Sequence, residues 1–259
     1  MYNKIIINFL FKDKKNTSYK DVSEIEYILF LLYRTGRILH ERIIEETLDG
    51  IIVTLVAIDE EKFFKTFNKF KKVFDDKYEI EFFKGEQISA TTKICNCDEP
   101  TFYVINPDYD FINNACCSSL LQCGECGNQV PWIGIVDIDG DECSKVVDFQ
   151  EMYESLEKLR LKSNCLEFVE KEILDCNSIY NKLGLKIRGM LEEVLNKPVY
   201  YFIKNPIDGV EGPEKVNLEY CPICNEKLIE INKNSKNKRK SFWINKKCEK
   251  CKIVVPTYE

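Results

Sequence analysis

Two Cys-x-x-Cys pairs, Cys221-Pro222-Ile223-Cys224 and Cys248-Glu249-Lys250-Cys251, stand 23 residues apart near the end of this 259-residue chain. Each pair can wrap one edge of a tetrahedral metal ion, and four thiolates close the coordination shell of zinc. Between the pairs, Lys227 to Asn232 and Ser241 to Asn245 have strand character around a polar loop, the layout of a C-terminal zinc ribbon over residues 214–259. A module of about 40 residues buries too little apolar surface to fold unaided. Zinc, worth on the order of 10–16 kcal/mol in such peptides, supplies the difference. With 13 Cys and a single His in the chain, His-rich metal sites are excluded.

A second group is expected from Cys95-Asn96-Cys97 and Cys123-Gly124-Glu125-Cys126, with 25 residues between the pairs. Gly124 and Gly127 suit a knuckle whose backbone N–H groups turn toward the sulfurs. Cys116 and Cys117 lie close enough in sequence to replace one ligand. Two zinc ions per chain follow from the two groups. Cys143, Cys165 and Cys176 read as ordinary buried thiols. Thiol redox chemistry ranks third, because Cys-Pro-x-Cys also occurs in thioredoxin-like sites but there opens a helix in a βαβ context.

The thiols are expected to be reduced, in a cytoplasmic protein. Ile5 to Phe11 is interrupted by Asn8 and lacks a cleavage site, so it reads as a strand and not as a signal peptide. The apolar run Tyr27 to Tyr33 is far shorter than the roughly 18 residues that span a bilayer, and no membrane contact is expected. Charge is uneven: the chain carries −6 overall, residues 221–259 carry +6 and residues 1–220 carry −12. Lys236, Lys238, Arg239 and Lys240, followed by Trp243, therefore form the nucleic-acid candidate, with cations for phosphate and an aromatic ring for stacking. Equally, Lys246, Lys247, Lys250 and Lys252 can offset the −2 charge of a tetrathiolate zinc centre. The acidic remainder points instead to a basic protein partner, for example a toxin masked by an immunity protein.

Residues 1–85 read as a ferredoxin-like βαββαβ domain. Strand Lys4 to Phe11 is followed by a helix from about Ser23, whose hydroxyl is expected to form a capping box with Glu26, to Gly36, which ends it. Then come a hairpin of Arg37 to Thr47 and Ile51 to Ile58, with Asp49-Gly50 placed to supply the positive φ angles of a tight turn, a helix with Phe63, Phe67, Phe70 and Phe74 on one face, and strand Tyr78 to Phe83. The first and third strands are apolar on both faces, like central strands, and the other two alternate with charges, like edges. The third strand has no aromatic residue, which argues against an RNA-stacking sheet. A central cysteine-rich zinc-binding segment over 86–148 includes strands at Phe102 to Ile105 and Trp132 to Ile138. A helical section with a strand and linker follows over 149–213, giving an α+β chain.

Gln122-Cys123-Gly124-Glu125-Cys126-Gly127 leading into Val130-Pro131, and Asn196-Lys197-Pro198-Val199-Tyr200-Tyr201-Phe202, resemble a bacterial family of unknown function. Its members are described as zinc-ribbon-containing, with a suggested nucleic-acid-binding role. The resemblance spans roughly residues 87–251 and implies that Cys95, Cys97, Cys123 and Cys126 match one cysteine group and Cys221, Cys224, Cys248 and Cys251 the other. The chain departs from the family at Trp132-Ile133 and in having Cys116-Cys117. No enzyme is expected: there is no phosphate loop, dinucleotide fingerprint or metalloprotease helix, His40 has no nucleophile in its sequence context, and Asp137, Asp139 and Asp141 lack the Gly and Glu positions of a calcium loop.

Overall fold

The computed structural model describes residues 2–13, 19–57, 59–88, 95, 97–107, 120–130, 141–163, 165–204, 218–231 and 244–256. They fall into two compact units, the first holding the described residues up to 88 together with 141–144, the second the remainder. No described helix is long and apolar enough to cross a membrane.

In the first unit β1 (Tyr2–Phe11), α1 (Tyr19–Arg34), β2 (Ile38–Glu46), β3 (Gly50–Ala57), α2 (Glu60–Lys71) and β4 (Tyr78–Ile88) follow one another. The strands make one antiparallel sheet in the order β2-β3-β1-β4. The two apolar strands are thus central and the charged ones are edges. Ile5, Ile7 and Phe9 of β1 and Ile51, Val53, Leu55 and Ala57 of β3 are buried, together with Ile25, Leu29 and Leu32 of α1 and Phe63 and Phe67 of α2. Phe9 meets Phe74 and Tyr78 edge-on, with ring centroids 5.2 and 5.6 Å apart. Such pairs add to burial, since the edge of one ring meets the electron-rich face of another.

Two local expectations change. Ser23 lies inside α1 and does not cap it, because the helix begins at Tyr19. At the other end the helix stops as expected: Gly36 has φ 66°, its N–H donates to Tyr33 O at 2.8 Å, and Arg37 N–H donates to Leu32 O at 2.8 Å. In the β2–β3 hairpin Gly50 is not a positive-φ turn residue; it opens β3, where an added Cβ would lie 2.0 Å from Phe9 O. Close strand approach, not turn conformation, requires that glycine. At the start of α2, Asp59 accepts from Lys62 N–H at 3.0 Å. Asp59→Ala is expected to cost about 1 kcal/mol, visible as a lower denaturation midpoint of this unit.

The second unit contains β5 (Tyr103–Ile105), β6 (Leu121–Cys123), α3 (Asp141–Lys162, from its fifth residue), α4 (Leu166–Leu174), α5 (Ile179–Leu195), β7 (Val199–Phe202), β8 (Ile229–Glu230), β9 (Ile244–Cys248) and β10 (Ile253–Pro256). One sheet joins them in the order β6-β5-β7-β10-β9-β8, parallel at β5–β7 and β7–β10. Segments 86–148, 149–213 and 214–259, separate in the sequence reading, therefore share a single sheet. The strand expected at Trp132 to Ile138 and the linker from Asn205 lie outside the described residues.

β7 sits at the centre and is buried along its length. Tyr200 packs with Val104, Phe202 and Val254 on one face. Tyr201 points the other way, toward Gly184 of α5, where a Cβ would come within 2.5 Å of its ring. Asn196 ends α5 in the left-handed region (φ 49°), and Pro198 then leads into β7.

Candidate metal centres

The eight cysteines singled out by spacing come together as two groups of four, Cys95, Cys97, Cys123 and Cys126, and Cys221, Cys224, Cys248 and Cys251. Within each group the sulfur atoms lie within 4.8 Å of one another. Cys224 Sγ and Cys248 Sγ are 3.6 Å apart, near the edge of about 3.8 Å of a tetrahedron with 2.3 Å zinc–sulfur bonds. Donor type, number and spacing fit a closed tetrahedral ion.

In the first centre Cys123 ends β6, its N–H donates to Asn128 O at 2.9 Å, and Gly127 N–H returns to Cys123 O at 2.9 Å. Cys95 N–H donates to Gln129 O at 2.8 Å, which ties the Cys-x-Cys arm to the same turn, and Cys97 N–H points at Cys95 Sγ at 3.3 Å. Gly124 is sterically required: a Cβ there would enter the Phe102 ring at 2.1 Å, while its N–H donates to Phe102 O at 3.0 Å.

In the second centre Cys221 N–H donates to Glu226 O at 2.8 Å and Asn225 N–H to Cys221 O at 2.9 Å. Cys248 ends β9 and Cys251 lies in the turn into β10. Ile223 N–H points at Cys221 Sγ, and Cys251 N–H at Cys248 Sγ, both at 3.4 Å. The residue after the second cysteine of each turn is left-handed: Gly127 at φ 70°, Asn225 at 59° and Lys252 at 53°. This conformation turns the chain back around the sulfurs. Gly and Asn signal it in sequence. Lys252 does not, and was missed.

Burial raises the Cys95 and Cys251 thiols and pushes Cys97 up to about 12. The backbone N–H of Glu226 instead lowers Cys224. Four thiolates in one partly buried cluster repel one another unless a cation joins them. Around the second centre Lys250 pairs with Glu226 at 2.7 Å, and Lys247 and Lys252 pair with Glu249 at 2.5 and 3.3 Å. Glu249 also accepts from Tyr200 OH at 2.6 Å. Lys247, then Tyr200, hold its carboxyl down to about 2. The lysines expected to offset the centre's charge are therefore partly spent on carboxylates.

Lys236, Lys238, Arg239, Lys240 and Trp243 lie outside the described residues, as do Cys116 and Cys117. Cys165 is exposed and Cys176 only half-buried, contrary to their reading as buried thiols; the Cys176 thiol donates to Pro222 O at 3.5 Å. Residues 97–204 match the model of a family described as a domain of unknown function (DUF2310). The match takes in Cys97, Cys123 and Cys126 and the helices through β7, and stops short of the second centre. Neither a curated protein nor a solved structure matches the chain.

Proposed function

We propose that this is a non-enzymatic zinc-binding protein in which Cys95, Cys97, Cys123 and Cys126 hold one ion, Cys221, Cys224, Cys248 and Cys251 hold another, and the basic C-terminal region binds nucleic acid. The two all-sulfur tetrads carry the reading. Soft thiolates select zinc over hard cations, and a full set of four protein ligands leaves no open position for catalysis. The order β1α1β2β3α2β4 with its 2-3-1-4 antiparallel sheet supports a ferredoxin-like first unit. β8, β9 and β10 framing the last four cysteines support a zinc ribbon. A reducing, cytoplasmic location suits thiols kept for metal.

Elemental analysis of the purified chain should find two zinc per chain; one or none defeats the two-site assignment. Zinc binds thiolates and displaces thiol protons, so loading the chain in weak buffer should release protons. Apparent affinity should then fall as pH falls, protons displacing metal. The nucleic-acid reading rests on Lys236, Lys238, Arg239 and Lys240 beside the described Lys246, Lys247, Lys250 and Lys252. Oligonucleotide binding should weaken with salt and with Ala at the first four; binding indifferent to both defeats it.

A second reading, a protein that masks a basic partner, is favoured by the face of the first sheet away from the core. Ile43, Thr54, Ile6 and Phe83 form one cross-strand row, with Ile43 and Phe83 exposed, beside a row of Glu45, Ile52, Asn8 and Glu81. Capture of a basic protein that Ile43→Lys and Phe83→Lys abolish would support it, and capture insensitive to both would remove it.

A further inference from the structure

A divalent ion held by four thiolates is a −2 complex at either centre. What differs is the charge already around it. At the first centre Asp98 and Glu99 follow Cys97 directly, and Glu125 lies inside the Cys123–Cys126 turn, its carboxylate accepting from Thr101 N–H at 3.1 Å. Lys197 approaches from α5's end, donating to Pro100 O at 3.0 Å. At the second, Lys247 and Lys252 pair with Glu249, Lys250 pairs with Glu226 and Lys246 donates to Leu218 O at 3.0 Å, so that, with Glu219 two residues before Cys221, four lysines stand against three glutamates.

Anchoring and access run the same way. The first centre hangs on β6, a three-residue strand at the sheet's edge, and only Cys123 of its four ligands is buried. The second draws Cys248 from β9, which has β8 and β10 on either side, and buries both Cys221 and Cys248.

We infer that the two centres are unequal: the Cys95–Cys97–Cys123–Cys126 centre is an exchangeable soft-metal site, open to competing thiols and chelators, whereas the Cys221–Cys224–Cys248–Cys251 centre is a retained structural one. This rests on the reading of both tetrads as metal centres. A few unit charges close to a −2 complex, screened by water and salt, amount to a difference of roughly tenfold or more in affinity.

The test uses the full zinc-loaded chain, titrated with EDTA and followed by intact-complex mass spectrometry, with N-ethylmaleimide alkylation mapped by peptide at each step. A one-zinc species should accumulate in which Cys95, Cys97, Cys123 and Cys126 are alkylated and the other four protected, at about tenfold less chelator than the second ion needs. The triple variant Asp98→Asn, Glu99→Gln, Glu125→Gln should narrow that interval, and added salt should do the same. Simultaneous loss of both ions, first alkylation at Cys221 or Cys248, or an interval unmoved by the triple variant would overturn the inference. A chain that takes up no zinc overturns instead the metal reading beneath it.

Discussion

Removing metal from the chain is expected to unfold the second unit and leave the first folded. Every strand of the C-terminal half of the larger sheet is framed by a ligand: Cys248 ends β9, Cys251 leads into β10, and Cys221 and Cys224 precede β8. β8 has two residues, both exposed, and contributes little burial of its own. Structural zinc contributes on the order of 10–16 kcal/mol, comparable with the whole stability of an ordinary domain at about 5–15 kcal/mol. The first unit holds none of the eight ligands, and its core of Phe9, Phe63, Phe67, Phe74 and Tyr78 is fully buried. Hydrogen exchange should thus show protection lost in β5 to β10 and retained in β1 to β4 after chelation, and restored when zinc returns. Cys248→Ser should reproduce the loss in the C-terminal strands without any chelator. Retained protection throughout in the stripped chain would mean that packing alone holds the larger sheet.

Asn181→Ala is expected to destabilise the second unit by about 3 kcal/mol, the upper end of the cost of leaving buried polar groups without partners. Asn181 is only 1% exposed. Its Nδ2 donates to Glu172 O, Ile173 O and Asp175 O at 3.2, 2.9 and 2.8 Å, capping the last turn of α4. Its Oδ1 accepts from Tyr201 OH at 2.8 Å, which fixes the ring that lies over Gly184. One side chain thus ties the end of α4, the start of α5 and the central strand. Truncation leaves three carbonyls and a hydroxyl with fewer partners in a place water reaches poorly. A zinc-saturated denaturant titration should show a lower midpoint at unchanged slope. Tyr201→Phe, which removes one bond from the same network, should cost less; equal losses would mean that Asn181 acts through its contact with the ring alone.

The parts of this fold that were readable in sequence are those whose cause is local. Phe63, Phe67, Phe70 and Phe74 recur at helical spacing; α2 buries Phe63 and Phe67, Phe74 is buried just past the helix end, and Phe70 is only half-buried. The contrast between β1 and β3, apolar on both faces, and β2 and β4, which alternate with charges, anticipates which strands are central, because a strand's neighbours determine how many of its faces meet water. Cysteine spacing anticipated the grouping of the sulfurs. Start and stop residues were less reliable: Ser23 looks like a cap and is mid-helix, and Asp49-Gly50 looks like a tight turn but serves a close strand contact. β6 and β10 were not anticipated, since three or four apolar residues beside a cysteine carry no clear period. Asn181 was missed for another reason: its partners are the carbonyls of a preceding helix and a tyrosine 20 residues on, and neither leaves a mark on the residues beside it.

From the chain alone, then, come the two ligand sets, the helix–strand order of the first unit and the uneven charge, because each depends on residues near one another in sequence or on simple spacing. The tertiary structure alone decided that the two tetrads belong to one sheet. The junction is β7 between β5 and β10, parallel on both sides, with Tyr103 opposite Val199 and Ile253 opposite Tyr201. Parallel partners need long crossovers and no turn residues. No local signal announces such a pairing, and burial of both faces of Val199 to Phe202 is the force that selects it.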